Sequence, residues 1–165
     1  ATVYSLKDEK ISLAGTPGQM EGDSHVGQGH YLTGPRVSFA GGAGLVSTTQ
    51  NYGNFLQMIA NGGELNGTRI LSRKSVELMT QNHLGDIPYA AGRGFGLGFD
   101  IITDLGDFSQ PGSQGAYGWG GAYHSTYWID PKENVVFVYL TQLIPAGGLD
   151  DADKLRALIY QAIVD

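Results

Sequence analysis

The tightest limit on how this chain folds comes from its last third, where two strand-length apolar runs are followed at once by an amphipathic helix. The runs are about Gly118 to Ile129 and Asn134 to Gln142, joined by "DPKEN", whose Pro131 suits a turn, so an antiparallel hairpin is expected. "LDDADKLRALIYQAIV" then reads as a helix capped by Asp150 or Asp151, with Leu155, Leu158, Ile159, Ala162 and Ile163 as its apolar stripe. Upstream, "GFGLGFDII" has a period of two: Phe95, Leu97, Phe99 and Ile101 alternate with Gly94, Gly96, Gly98 and Asp100. One face of such a strand is greasy and the other nearly naked, which predicts a close-packed cover, most simply a helix.

Between residues 46 and 92 the period is helical. Ser47 and Gln50 form a capping box, and Tyr52, Phe55, Leu56 and Ile59 follow on one face until Gly62 and Gly63. Asn66-Gly67 signals a tight turn, and Ser72 offers a cap for a helix through about Gln81, with Val76 and Met79, and as an option Leu78, inward. Residues 1–45 read as two short extended pieces around a charged turn, then a long loop rich in Gly and Pro. The sum is an α+β fold with antiparallel sheet, one domain over 1–165: a loop-rich part (1–45), a helical part (46–92), and sheet strands plus a C-terminal helix (93–165).

Several chemistries are excluded. A net charge of -6 without a basic run argues against nucleic acid or an anionic membrane surface. The longest wholly apolar run, "VVFVYL", is far short of the roughly 20 residues a membrane-spanning helix needs. There is no Cys, hence no disulfide, thiolate zinc site or Cys nucleophile. His25, His30, His83 and His124 have no ligand spacing, so no metal or cofactor is expected and these read as loop and surface histidines. "GRGFGLG" leads into a strand, where a dinucleotide loop must lead into a helix. Neither G-x-S-x-G nor S-x-x-K occurs, and the Tyr-x-Asn match at Tyr52 to Asn54 lies on the apolar helix face, which marks it as coincidence.

One stretch stays unexplained by packing patterns: Gly118, Gly120 and Gly121 surround Trp119 on a strand, where glycine costs entropy. Here "FAGGAGLVSTTQNYGNFLQMIANGGELNGTRILSRKSVELMTQNHL", "GFGLGFDI" and "YGWGGAYHSTYWIDPKENVVFVYLTQ" in this order resemble the C-terminal part of serine hydrolases with the penicillin-binding, class C β-lactamase fold. The esterase branch is the most similar. The resemblance implies that Trp119-Gly120-Gly121 stands in place of the family's Lys-Thr-Gly triplet on the strand edging the active site. It further implies that the backbone N–H of Ala122 faces the oxyanion, and that Trp119, Gly120, Gly121 and Tyr123 contact a small-molecule ester substrate. Losing Lys and Thr from the triplet removes the groups that would hold a carboxylate, and with no Lys or Arg nearby in sequence, neutral esters are expected.

The same resemblance implies that the nucleophilic Ser, its Lys and the catalytic Tyr come from an N-terminal portion of the same enzyme, as part of one polypeptide or as a separate chain. The segment is therefore expected to be inactive alone. The expected function is that of a carboxylesterase using an acyl-enzyme. The rival readings are a non-catalytic binding or structural module, or a β-lactamase or D-aminopeptidase-type member of the fold. The compartment is not legible.

Overall fold

The computed structural model describes residues 2–15, 41–42, 44–146 and 148–164, together with the backbone of 20–21 and 24–25. Strands β1 (Tyr4–Lys7) and β2 (Lys10–Leu13) pair antiparallel about the expected charged turn, where Asp8 and Glu9 take left-handed φ of 49° and 61°. That geometry matches the strand twist of a two-residue hairpin. β1 is tied to the far end of the chain: Tyr4 N–H donates to Gln142 O at 2.8 Å, Ile144 N–H to Tyr4 O at 2.8 Å, and the Ser5 hydroxyl to Ile144 O at 2.7 Å. Within the stretch expected to be a loop, β3 (Met20–Glu21) and β4 (Ser24–His25) form a small hairpin, and the remainder, 16–19, 22–23 and 26–40, lies outside the described residues.

Helix α1 (Thr49–Ala60) starts one residue later than the capping box predicts: the extended Thr48 is the cap, and its side chain accepts from Asn51 N–H at 3.2 Å. Leu56, Met58 and Ile59 are buried, whereas Phe55 sits at the margin, 40% exposed. The helix ends at Gly62 and Gly63 (φ 70° and 99°), and a Cβ on Gly63 would lie 2.1 Å from Leu71 O. Asn66 and Gly67, both left-handed, turn β5 (Glu64–Leu65) into β6 (Thr68–Arg69) as expected. Helix α2 (Arg73–Met79) is capped by Ser72, whose side chain accepts from Ser75 N–H at 3.0 Å; Val76 is buried and Leu78 faces out.

"GFGLGFDII" is two strands rather than one. β7 (Arg93–Phe95) and β8 (Asp100–Ile102) pair antiparallel, with Gly98 at φ 97° in the turn between them. Close approach to the glycines is real, but the cover is the C-terminal end of α2 and the segment just beyond it. A Cβ on Gly96 would lie 2.2 Å from Met79 O, and one on Gly94 would lie 2.4 Å from the Asn82 carboxamide. After a short helix α3 (Leu105–Phe108) capped by Asp104, the run expected as one long strand doubles back. It forms β9 (Tyr117–Gly121) and β10 (Ser125–Asp130), and "DPKEN" then leads to β11 (Val135–Tyr139). The sheet has the order β11-β10-β9-β8-β7 and every pairing in it is antiparallel.

The chief core lies between one face of this sheet and helices α1 and α2, where Leu56, Met58, Ile59 and Val76 meet Phe99, Ile101, Tyr117 and Ile129. Helix α4 (Asp151–Tyr160) lies over other residues of the sheet, with Leu155 and Ile159 of the expected stripe half-buried. Leu158 is 56% exposed and Ala162 falls beyond the helix, while Arg156 and Tyr160 turn inward. Arg156 is accommodated because its guanidinium stacks 4.2 Å from the Trp128 ring centre and 5.3 Å from that of Phe108, keeping its charge against π faces while the stem packs.

Candidate active site

Strand β9 is held by β10 along its full length but by β8 only at Tyr117 and Gly118, so the edge at Gly120 and Gly121 is open. The chain then reverses through Ala122, Tyr123 and His124. His124 N–H donates to Gly121 O at 3.0 Å and His124 takes φ 61°, which fits the three-residue hairpin loop in which a turn is closed by a left-handed residue. Glycine is the ordinary choice there, and the His hides this turn from a reading of sequence.

A cavity of about 570 Å³ opens along this edge. Trp119, Gly120, Gly121 and Ala122 all line it, while Tyr123, one step further round the turn, does not. Ala122 N–H has no backbone acceptor among the described residues. Gly118 and Gly121 differ in kind. A Cβ on Gly118 would sit 2.2 Å from Tyr127 O, whereas Gly121 would meet nothing nearer than Ser125 Cβ at 3.7 Å. Gly118 serves strand packing, and Gly121 leaves space.

The Trp119 ring, 44% exposed, stands edge-on to Phe95 at 5.1 Å between centres, and Phe95 in turn meets Tyr89 at 5.8 Å. Tyr127 forms another part of the lining; burial first, then its hydrogen bond with Tyr52, pushes its hydroxyl up so that it stays protonated. Tyr52 is thus a core partner of Tyr127, with ring centres 5.2 Å apart, in keeping with its place on the apolar helix face.

The cavity also holds charges that sequence proximity gave no sign of. Arg93, Asp100, Asp153 and Arg156 line it, brought from β7, β8 and α4. None is idle: Arg93 pairs with Asp100, Asp153 accepts from Gln110 at 3.0 Å, and Arg156 donates to Pro111 O at 3.2 Å within its aromatic cage. Burial is the main cause that draws the Arg156 guanidinium below its usual value.

Behind the turn, His124 Nε2 meets Asp151 Oδ1 at 2.5 Å, and the other Asp151 oxygen accepts from Tyr139 O–H at 2.9 Å. Partial burial raises the Asp151 carboxyl, but hydrogen bonds from His124 and Tyr139 outweigh it and hold the group below its usual value. His124 is largely covered rather than a surface residue, and His83 Nε2 contacts Leu78 O at 2.7 Å near the end of α2. The side chain of His25 and all of His30 lie outside the described residues.

Comparison with known proteins sets this geometry in a lineage. Two relatives from Mycobacterium tuberculosis, Protein Rv1367c (strain ATCC 25618 / H37Rv) and Uncharacterized protein MT1414 (strain CDC 1551 / Oshkosh), are each 35% identical over 134 residues. The match covers 74% of this chain and 33% of either relative, so the chain spans about a third of their length. Among solved structures, "EstCE1, a hydrolase with promiscuous acyltransferase activity" superposes with a TM-score of 0.75 at 20% identity, over 97% of this chain and 43% of that one. Unliganded simvastatin synthase (LovD) from Aspergillus terreus, as its selenomethionyl derivative, gives 0.68 at 20% identity, over 99% and 41%. These two show the shared α+β fold. The Beta-lactamase family matches residues 1–161, nearly the whole of the sequence. The chain belongs to the beta-lactamase family.

Proposed function

We propose that this chain supplies the oxyanion strand and one pocket wall of a serine hydrolase, a carboxylesterase that forms an acyl-enzyme on small or medium esters. The observation carrying this reading is the Ala122 N–H, without a backbone acceptor among the described residues, on a cavity edge where Gly120 and Gly121 present no side chain. In acyl transfer a serine oxygen adds to the ester carbonyl carbon, and the carbonyl π electrons move onto its oxygen. Ala122 N–H donates to that developing oxyanion, and the nucleophile's own amide is the second donor. The electrons return, the C–O bond to the alcohol breaks, and the alcohol leaves with a proton; water then releases the acid by the same path. Nucleophile and base belong to a portion of the enzyme outside this segment, which is the segment's partner in catalysis. Trp119 forms the wall against the acyl chain, whereas Tyr123, expected to touch the substrate, lies off the cavity. Because the two cations on the lining, Arg93 and Arg156, are balanced there by two carboxylates, Asp100 and Asp153, the pocket takes neutral esters.

The test is turnover of a neutral chromogenic ester by the complete protein. Ala122→Pro deletes the donor, and proline is compatible with the first central position of a turn. It is expected to lower kcat by about 10²-fold or more with the circular dichroism spectrum retained. Near-normal kcat in a folded Ala122→Pro enzyme would overturn the reading.

A further inference from the structure

We propose that His124, Asp151 and Tyr139 form a positioning chain that clamps the 122–124 turn and thereby aims the Ala122 amide into the cavity. This rests on the reading of Ala122 as the oxyanion donor. His124 holds φ 61°, a conformation that costs a residue with a Cβ roughly 1 kcal/mol or more and that persists only when its surroundings enforce it. Glycine would occupy the position without strain, so the imidazole must contribute something that offsets the cost.

Its contacts show what. The Asp151 carboxyl is held ionised, so its oxygens only accept, and His124 Nε2 must carry the hydrogen in their 2.5 Å contact. Tyr139 O–H donates to the second oxygen, so three elements, the turn, β11 and the first turn of α4, meet at one carboxylate. The helix N-terminus favours that negative charge, which fixes the acceptor in place. A second strap acts on the backbone itself: Thr141 Oγ1 lies 2.5 Å from Tyr123 O and 2.9 Å from His124 O, and Leu143 N–H donates to Tyr123 O at 3.3 Å. With Tyr123 and His124 pinned from behind, and His124 N–H donating to Gly121 O at 3.0 Å, the Gly121–Ala122 peptide that carries the Ala122 N–H has little freedom to swing. His124 and Asp151 are positioning residues: they touch no reacting atom and act through Ala122.

Two arms test this in the complete protein. His124→Gly and His124→Asn both tolerate the left-handed turn but cannot reach Asp151, so they remove the tether without forbidding the fold. Asp151→Asn keeps an acceptor oxygen for the imidazole, and Asp151→Ala keeps none. The first arm reads amide hydrogen exchange over residues 121–125. His124→Gly, His124→Asn and Asp151→Ala should speed exchange there about tenfold or more, with α1 unchanged, and Asp151→Asn should restore much of the protection. Unchanged exchange overturns the clamp, whatever the protein catalyses. The second arm reads ester turnover: the same loosened variants should lose about tenfold in kcat with KM nearly constant, and Asp151→Asn should recover most of it. A loosened turn with unchanged kcat in an active enzyme overturns the catalytic role of the clamp. A wild-type protein without esterase activity defeats the ester reading instead, and the exchange arm still decides the clamp.

Discussion

Tyr160 donates its phenolic hydrogen to Asp130 Oδ2 at 2.7 Å, and this bond joins the last helix to the turn between β10 and β11. Asp130 is fully buried, and its other oxygen accepts from the N–H groups of Lys132 at 3.1 Å and Glu133 at 3.4 Å. A buried carboxylate short of one donor keeps its desolvation penalty without the compensating bond. Tyr160→Phe is therefore expected to cost about 1–3 kcal/mol of unfolding free energy, measured as a lower urea midpoint at unchanged m-value. An unmoved midpoint would show that solvent replaces the hydroxyl.

Two glycines of one motif should respond in opposite ways to a methyl group. Gly118→Ala would drive a Cβ to 2.2 Å from Tyr127 O and 3.0 Å from Trp128 Cα, both main-chain atoms of the neighbouring strand. Strands cannot part there without breaking the sheet, so a loss of about 2 kcal/mol or more is expected. Gly121→Ala meets only Ser125 Cβ at 3.7 Å, an ordinary contact, and stability should stay within about 0.5 kcal/mol. Its methyl instead narrows the open edge, so ester kcat/KM should fall while the melting temperature holds. If both variants melt early and alike, the motif is packing throughout.

What could be read from the sequence was what local chemistry dictates. Asn66-Gly67 supplies two left-handed residues in order, Ser72 caps the helix behind it, and "DPKEN" turns the last hairpin. The failures share a physical origin in distant partners. Alternating glycines imitate a single strand from Gly94 onward, yet what makes Gly94 and Gly96 obligatory is Asn82 and Met79 O. The turn at Ala122 to His124 has no glycine at its left-handed position because Asp151 holds a histidine there from α4. Arg156 looks like a solvent residue on a helical wheel, and only the Trp128 and Phe108 rings turn it inward. Its arrival beside Trp119, together with that of Arg93, placed cations in a cavity where sequence proximity suggested none.

The Asp151 carboxyl gives a pH signature. Its folded value lies below the usual one, so the folded protein binds that proton less readily than the unfolded chain. The stabilisation is then complete above the unfolded value, about 3.9, and is lost as pH falls from there through the folded value. Asp151→Asn should flatten this part of the acid unfolding curve. A curve of undiminished steepness below pH 4 in the variant would assign the acid sensitivity to other carboxylates.

Charge selectivity at the cavity hinges on one ion pair. Arg93 lines the cavity but is paired with Asp100, whose side chain is only 15% exposed, and the pair cancels toward an incoming ligand. Asp100→Asn removes the countercharge while keeping a carbonyl oxygen that can still accept from the guanidinium. One positive charge is then uncovered at a cavity wall open to solvent, where attraction for a nearby anion amounts to about 1 kcal/mol. The ratio of kcat/KM for a carboxylate-bearing ester to that for its neutral methyl-ester analogue should rise about three- to tenfold, and raising the salt concentration should erase most of the gain. Trp119→Ala, a change of wall without a change of charge, should raise KM for both esters and leave the ratio where it was. A ratio unmoved by Asp100→Asn would mean that the substrate does not come within reach of Arg93, and the neutral preference would have to come from the Trp119-Gly120-Gly121 edge alone.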